Sequence, residues 1–120
     1  MAYANDAALD AALNWIKTNG TTLHICTSEP ATYGAIAAAQ LASEAVTITG
    51  PADGDVSGRK ITVPSVSADD VDTTGTATHW ALSNGTDTLV ATGALSASAE
   101  LDSAGTYTTA AFTIALPDFT

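Results

Sequence analysis

Cations are nearly absent from this chain. Its 120 residues hold three Lys and Arg (Lys17, Arg59 and Lys60) against 13 Asp and Glu, a formal net charge of −10. Binding to nucleic acid draws on clustered Lys and Arg that displace counterions from phosphates, and three cations make no such footprint. The same negative field repels anionic lipid. Neither nucleic acid nor a membrane surface is therefore expected as a partner. Charged residues of both signs are 13% of the chain, about half the usual share. The surface must then rest on Thr, Ser and Ala, and β-branched Thr leans the composition towards strands.

Cysteine occurs once, as Cys26, which excludes an intramolecular disulfide. In the run Leu23-His24-Ile25-Cys26 it reads as a buried, inert thiol. A chain of this length buries roughly two-thirds of its unfolded surface, so one core suffices without a staple. No run approaches the roughly 20 apolar residues of a membrane span. Met1-Ala2-Tyr3-Ala4-Asn5-Asp6 has neither the cationic start nor the following apolar run of a secretory leader. The expectation is a soluble product made in a cytoplasm.

Reactive motifs are also missing. There is no Gly-x-Ser-x-Gly elbow and no Gly-rich phosphate or dinucleotide loop. His24 and Cys26 share one strand face, but a Cys–His couple needs a third, orienting group and a cleft. His24 and His79 are too few for zinc, which takes three or four ligands at recognisable spacings. Asp53-Gly54-Asp55 and Asp69-Asp70-Val71-Asp72 carry oxygen ligands of the kind calcium accepts, but neither completes an EF-hand loop; both read as solvated turns. No catalytic residue, cofactor or metal is expected, and the chain does not read as an enzyme. Trp15 and Trp80 leave a carbohydrate-binding surface as a minor alternative.

What is present is period and punctuation. Asn5 or Asp6 can cap a first helix. Leu9, Ala12, Leu13 and Ile16 fall on one helical face, Lys17 suits the terminal dipole, and Gly20 ends the helix in left-handed geometry. Trp15 lies off that stripe. Thr21–Thr27 alternates, with Leu23 and Ile25 opposite Thr22, His24 and Cys26, until Pro30 stops the strand. Tyr33–Leu41 reads as a short Ala-rich helix or a long loop. Glu44–Thr49 alternates with Val46 and Ile48 inward, and the segment from Gly50 to Asp55 reads as a turn. Arg59–Val63 and Val66 form a strand that Pro64 interrupts, followed by an acidic loop at residues 69–72.

Thr74–Leu82 places Thr76, Thr78, Trp80 and Leu82 on one face and Ala77, His79 and Ala81 on the other. Asn84-Gly85 marks a tight hairpin returning through Thr88–Leu95. A loop around Asp102 and Gly105 precedes a last strand, Thr106–Leu116, with Ala110, Phe112, Ile114 and Leu116 on its apolar face. Such spacing points to a single mainly β domain over residues 1–120, an antiparallel sandwich or barrel with an N-terminal helix. Residues 1–4 and 117–120 read as arms.

The order of these signals resembles small virion proteins of tailed bacteriophages and gene transfer agents. The resemblance rests on Leu23-His24-Ile25-Cys26-Thr27-Ser28-Glu29-Pro30 after a helix, on Thr76-Ala77-Thr78-His79-Trp80-Ala81-Leu82 with Leu89-Val90-Ala91-Thr92-Gly93-Ala94-Leu95, and on Gly105 followed by Ala111-Phe112-Thr113-Ile114. It spans about Leu23 to Leu116, on strand-and-turn patterns of low specificity. It implies a capsid decoration (cement) protein, a head fibre or a minor tail protein, located in the virion, with no catalytic residues to carry over. The absence of collagen-like or coiled-coil segments favours the decoration form over a tail or fibre component. The implied partners are the major capsid protein or other virion proteins and further copies of the chain, as trimers. The residues expected at the contacts are Met1, Ala2, Tyr3, Ala4, Trp15, Tyr33 and Ile36.

Overall fold

The computed structural model describes residues 5–117. Residues 1–4 and 118–120, which the arm expectation covers, lie outside them. The element order is α1 (Asp6–Asn19), β1 (Thr22–Cys26), α2 (Tyr33–Ala39), β2 (Gln40–Ala45), β3 (Thr49–Asp53), β4 (Arg59–Val63), β5 (Val66–Asp70), β6 (Gly75–Ser83), β7 (Leu89–Leu101), β8 (Thr106–Thr109) and β9 (Phe112–Leu116). The fold is mainly β, with a helix at its start, as expected.

All strand pairs are antiparallel. They form a four-stranded sheet in the order β2-β1-β6-β7, a three-stranded sheet β3-β4-β9 and a two-stranded sheet β5-β8. Leu23, Ile25 and Leu82 of the large sheet meet Ile61, Val63, Val66 and Tyr107 of the two smaller ones in one core. That core is the filling of a sandwich-like body. Its radius of gyration, 15.0 Å, exceeds the roughly 13.6 Å of a compact domain of this length, and its extents are 50 × 26 × 23 Å. The length follows the 13-residue β7.

Helix α1 begins where Asn5 Oδ1 accepts the Ala7 amide at 2.8 Å, and it buries Leu9 and Leu13 against the core. Ala12, expected on the same stripe, faces water, while Asp10, expected outside it, is half-buried against Arg59. Gly20 does close the helix, but its φ is −82°, so left-handed freedom is not its role. A Cβ there would sit 2.8 Å from the Ile16 carbonyl oxygen and 3.1 Å from Ile48 Cδ1; the position needs the absence of a side chain. Helix α2 confirms the helical alternative for the Ala-rich segment. It covers the second face of the large sheet, where Ala39, Cys26 and Ala81 pack with Leu89.

Several boundaries differ from expectation. Residues 44–49 are not one strand: β2 ends at Ala45, and residues 46–48 cross to the opposite sheet with Ile48 buried. Val46 and Ile48 point inward because the crossing passes over the core, which alternation alone imitates. The Gly50–Asp53 turn is the edge strand β3, whose register shifts between Thr49 and Ala52 around Pro51; an edge tolerates the missing amide. The turn lies further on, closed by Gly54 N–H donating to the Gly58 carbonyl at 2.9 Å.

The acidic stretch is not all loop. Asp69 and Asp70 belong to β5, aligned with Tyr107 and Thr106 of β8, and Val71 is buried. Backbone pairing needs no apolar side chain, so the carboxylates do not reveal the strand. The expected last strand is two, β8 and β9, each in its own sheet, separated at Ala110 and Ala111. In β6 a register shift between Ala77 and His79 breaks the expected alternation, so Ala77 joins Trp80 and Leu82 in the main core. The β6–β7 connection is wider than a two-residue turn. Asn84 Oδ1 accepts the amides of Thr86, Asp87 and Thr88 at 2.9, 2.9 and 3.0 Å and so holds the loop from within.

Trp80 depends on Gly93, its partner across the β6–β7 ladder. A Cβ at Gly93 would lie 2.6 Å from the indole ring, so the ring lies over bare backbone and tilts at 42° against Phe112, centroids 4.7 Å apart. Replacing Gly93 by Val is expected to displace the indole and cost about 1–3 kcal/mol, the usual penalty of overpacking. Urea unfolding with Trp fluorescence reads both effects. An unchanged midpoint and emission would show that Trp80 is not seated there.

Candidate functional site

The sandwich is open along one side. The large sheet ends at β7, which pairs with β6 only, and the facing sheets end at β8 and β9. Between them runs a groove of about 440 Å³. Leu23, Ile25, Ala77 and Trp80 line it from the large sheet's inner strands, residues 94–97, 99 and 101 line it from β7, and residues 107–112 close the far wall. Its walls are almost wholly Ala, Leu, Thr, Ser and aromatic side chains.

A local irregularity in β7 shapes this groove. Ala99 aligns with Ala77 and Ala94 with His79, so four β7 residues, 95–98, stand opposite the single residue Thr78. They leave the ladder as a long bulge, and bulges bend a strand and re-aim its side chains. Ser96, Ala97, Ser98, Ala99 and Glu100 are all exposed.

Charge is sorted along the molecule. Arg59 aligns with Leu116 and Lys60 with Ala115 at one end of β9, where the guanidinium bonds Asp10 at 2.8 Å and Asp53 at 2.6 Å and the ammonium bonds Asp55 at 2.5 Å. The side-chain hydrogen bond to Asp10, foremost, keeps the guanidinium proton still more firmly than usual. Lys17 donates to the Gly50 carbonyl at 2.8 Å in the same region. At the other end, Asp70 aligns with Thr106 and Glu100 with Thr76, and Asp72 and Asp102 lie in the adjoining connections. Among the described residues none of these four carboxylates has an ion-pair partner. The calcium-type oxygens of Asp53-Gly54-Asp55 are engaged by Arg59 and Lys60 instead, and among the described residues no three His, Cys, Asp or Glu side chains gather as a metal site.

His24 belongs to a polar group that sequence reasoning missed. Its imidazole lies between Gln40 of β2 and Ser83 of β6, with Nδ1 2.5 Å from Gln40 Oε1 and Nε2 2.8 Å from Ser83 Oγ. The amide oxygen only accepts, so Nδ1 donates to it and Nε2 accepts the serine hydroxyl proton. Ser83 Oγ also accepts the Gly85 amide at 3.1 Å. Hydroxyl, imidazole and orienting amide stand in the order of a nucleophilic trio, but Ser83 is 0% exposed and His24 7%. No substrate reaches that oxygen in this conformation. The group instead ties three adjacent strands together across a buried face. Burial, opposed by the Gln40 hydrogen bond, holds the imidazole below its ordinary pKa.

Cys26 is buried, and desolvation pushes its thiol up to about 11, which keeps it protonated and a poor nucleophile. His79 is the ladder partner of Cys26 across β1 and β6, and its Nε2 lies 3.9 Å from Glu29 Oε2.

The described residues expected at partner contacts lie on two different helices. Trp15 is 52% exposed on α1, and Tyr33 is half-buried at the start of α2. Ile36, expected at an interface, is 3% exposed; it is the inward anchor of α2, since a seven-residue helix with Ala at most of its other positions has little else to bury. Met1, Ala2, Tyr3 and Ala4 fall outside the described residues. Trp80 is committed to Gly93 and Phe112 rather than to an open platform with Trp15. No protein-family model, curated protein or solved structure matches the chain.

The His24 group sets a pH dependence. Its folded pKa lies below 6.5, so on acidification the unfolded chain takes up a proton before the folded one, and stability falls from about pH 6.5 downward to the folded pKa. His24→Gln is expected to flatten this part of the profile, whatever its overall cost. Urea midpoints at about pH 7.5, 6.5 and 5.5 for both proteins make the comparison, and equal slopes would show that His24 is not the group responsible.

Proposed function

We propose that this chain is a non-enzymatic structural protein of a tailed-bacteriophage particle, a capsid decoration protein that binds the head shell through protein–protein contacts. The observation that carries the reading is the open apolar groove beside an edge strand. Such an edge offers main-chain pairing to another chain, and a row of small side chains packs closely with little polar desolvation. The resemblance of the β1 segment, the β6–β7 hairpin and β9 to small virion proteins supplies the context. A net charge of −10 suits a protein held outside a DNA-filled shell, because it has no affinity for phosphate backbones. The buried His24–Ser83 couple supports a role by contact rather than by reaction.

In this role the protein is made in the host cytoplasm, associates as trimers and clamps neighbouring shell subunits at repeated junctions. Residues 1–4 supply part of the contact as an arm. Reconstruction of particles from the phage that encodes the chain tests this: many copies in a regular lattice over the head are expected. Density confined to the tail, or absence of the protein from purified particles, would overturn it. Deleting residues 1–4 is expected to lower occupancy at unchanged melting temperature; full occupancy after deletion would remove the arm from the proposal.

A further inference from the structure

We infer that the groove between β7 and the β8–β9 wall seats one extended segment of a different polypeptide, with small apolar side chains turned into the groove and Lys or Arg at the end that lies beside Glu100 and Asp102. This deepens the proposed role and takes from it only the identity of the partner as a shell protein; the groove itself is a property of this chain.

Three observations converge on an extended occupant. The first is the edge. Among the described strands β7 pairs with β6 alone, so an added strand meets backbone groups along its outer edge that no described β-strand occupies. A long exposed edge is the usual template for strand addition. The second is the shape. The groove runs beside β7 from Ala94 to Leu101; because residues 95–98 bulge, this run faces only the five β6 residues from Gly75 to His79, about 16 Å of strand, and the walls carry Ala97 and Ala99 on one side and Ala110 and Ala111 on the other. Small side chains on both walls let an extended backbone with short side chains approach closely. The third is the floor. Trp80 and Phe112 form an apolar base, which rewards every second side chain of a strand and none of the intervening ones.

Charge decides whose segment it is. Glu100 and Asp102 end β7 at the groove mouth, and Asp70 and Asp72 lie beyond β8 at the same end. All three Lys and Arg stand at the far end and are engaged, Arg59 by Asp10 and Asp53, Lys60 by Asp55 and Lys17 by the Gly50 carbonyl. A second copy carries the same −10 charge, and among the described residues only Lys17, held by a carbonyl, lacks a carboxylate partner, so like-charge repulsion opposes it at this surface. A foreign strand ending in Lys or Arg gains where a copy loses.

The probe is a displayed library of random eight-residue peptides selected on the purified full chain. Enriched sequences are expected to alternate small apolar residues and to end in Lys or Arg. A chosen peptide should lose on the order of tenfold affinity for Ala97→Trp, which fills the groove from an exposed position and is expected to leave the melting temperature unchanged. Glu100→Gln with Asp102→Asn should weaken the same peptide severalfold at low salt and remove most of its salt dependence, since exposed charges are screened within about 10 Å at 0.1 M. Selection of nothing, selection without cationic ends, or peptides that bind Ala97→Trp equally well would overturn the inference. So would an oligomer of the chain that dissociates on Ala97→Trp, because the occupant would then be a second copy. Particle occupancy separates the two proposals: peptide binding with no protein on particles sinks the virion role alone, whereas normal decoration by Ala97→Trp protein sinks the groove as the shell contact.

Discussion

Strand β1 is buried on both faces, and much of the structure follows from that. One face feeds Leu23 and Ile25 into the sandwich core. The other must also be dry, because α2 and Leu89 cover it, yet it carries His24. A buried imidazole without partners would cost the desolvation of two polar nitrogens. The fold meets that cost with Gln40 from one neighbouring strand and Ser83 from the other. Shifting β1 by one residue against either neighbour would break the set and turn Leu23 and Ile25 out of the core. The polar group thus fixes the alignment of β2, β1 and β6, and that alignment in turn fixes where the β6–β7 hairpin lies.

From β6 outward the constraint relaxes. The hairpin loop is held by Asn84, and the ladder stays regular from Ala91 to Ala94, but beyond that β7 has no second neighbour and its side chains shrink to Ala and Ser. Residues 96–99 are Ser, Ala, Ser and Ala, all exposed, so neither face pins the register there, and it is here that four residues slip out of alignment. The same property that loosens β7 within the domain suits it to receive a strand from outside. The domain is tight where β1 is enclosed and open where β7 is not.

The outcome for the fold shows which signals carried weight. Alternation finds β1, β4, β6 and the start of β7, because each sets one row of large apolar residues against smaller or polar ones. It fails where the chain crosses between sheets, as at Val46 and Ile48, since a crossing segment buries apolar side chains too. It also fails at Asp69–Asp70, which carry no apolar side chain to mark the ladder they form with β8. His24 is plain in the sequence as a residue type, but its partners are not. Gln40 and Ser83 lie beyond reach because they meet it only through registers that join residues 16 and 59 positions apart. The groove has one visible trace, the change from Leu and Val to Ala and Ser after Leu95, which period analysis reads as a weakening strand.

Scarcity of charge connects these features to association. A surface of Thr, Ser and Ala approaches another protein without stripping water from many ions, which removes a large opposing term. It also removes the usual means of choosing a partner, since complementary charge sets specificity more than affinity. The chain resolves this by position. Arg59 and Lys60 are paired with carboxylates at the α1 end, where Arg59 joins β4 to the helix through Asp10, and among the described residues Asp70, Asp72, Glu100 and Asp102, without ion-pair partners, collect at the opposite end beside the open groove. In the proposed association, apolar area near Trp80 and Phe112 supplies attraction along the groove, and the carboxylates at its mouth set direction and exclude like-charged neighbours. Neutralising the acidic end would leave a groove that still binds but no longer discriminates, which is why the two contributions belong to one surface.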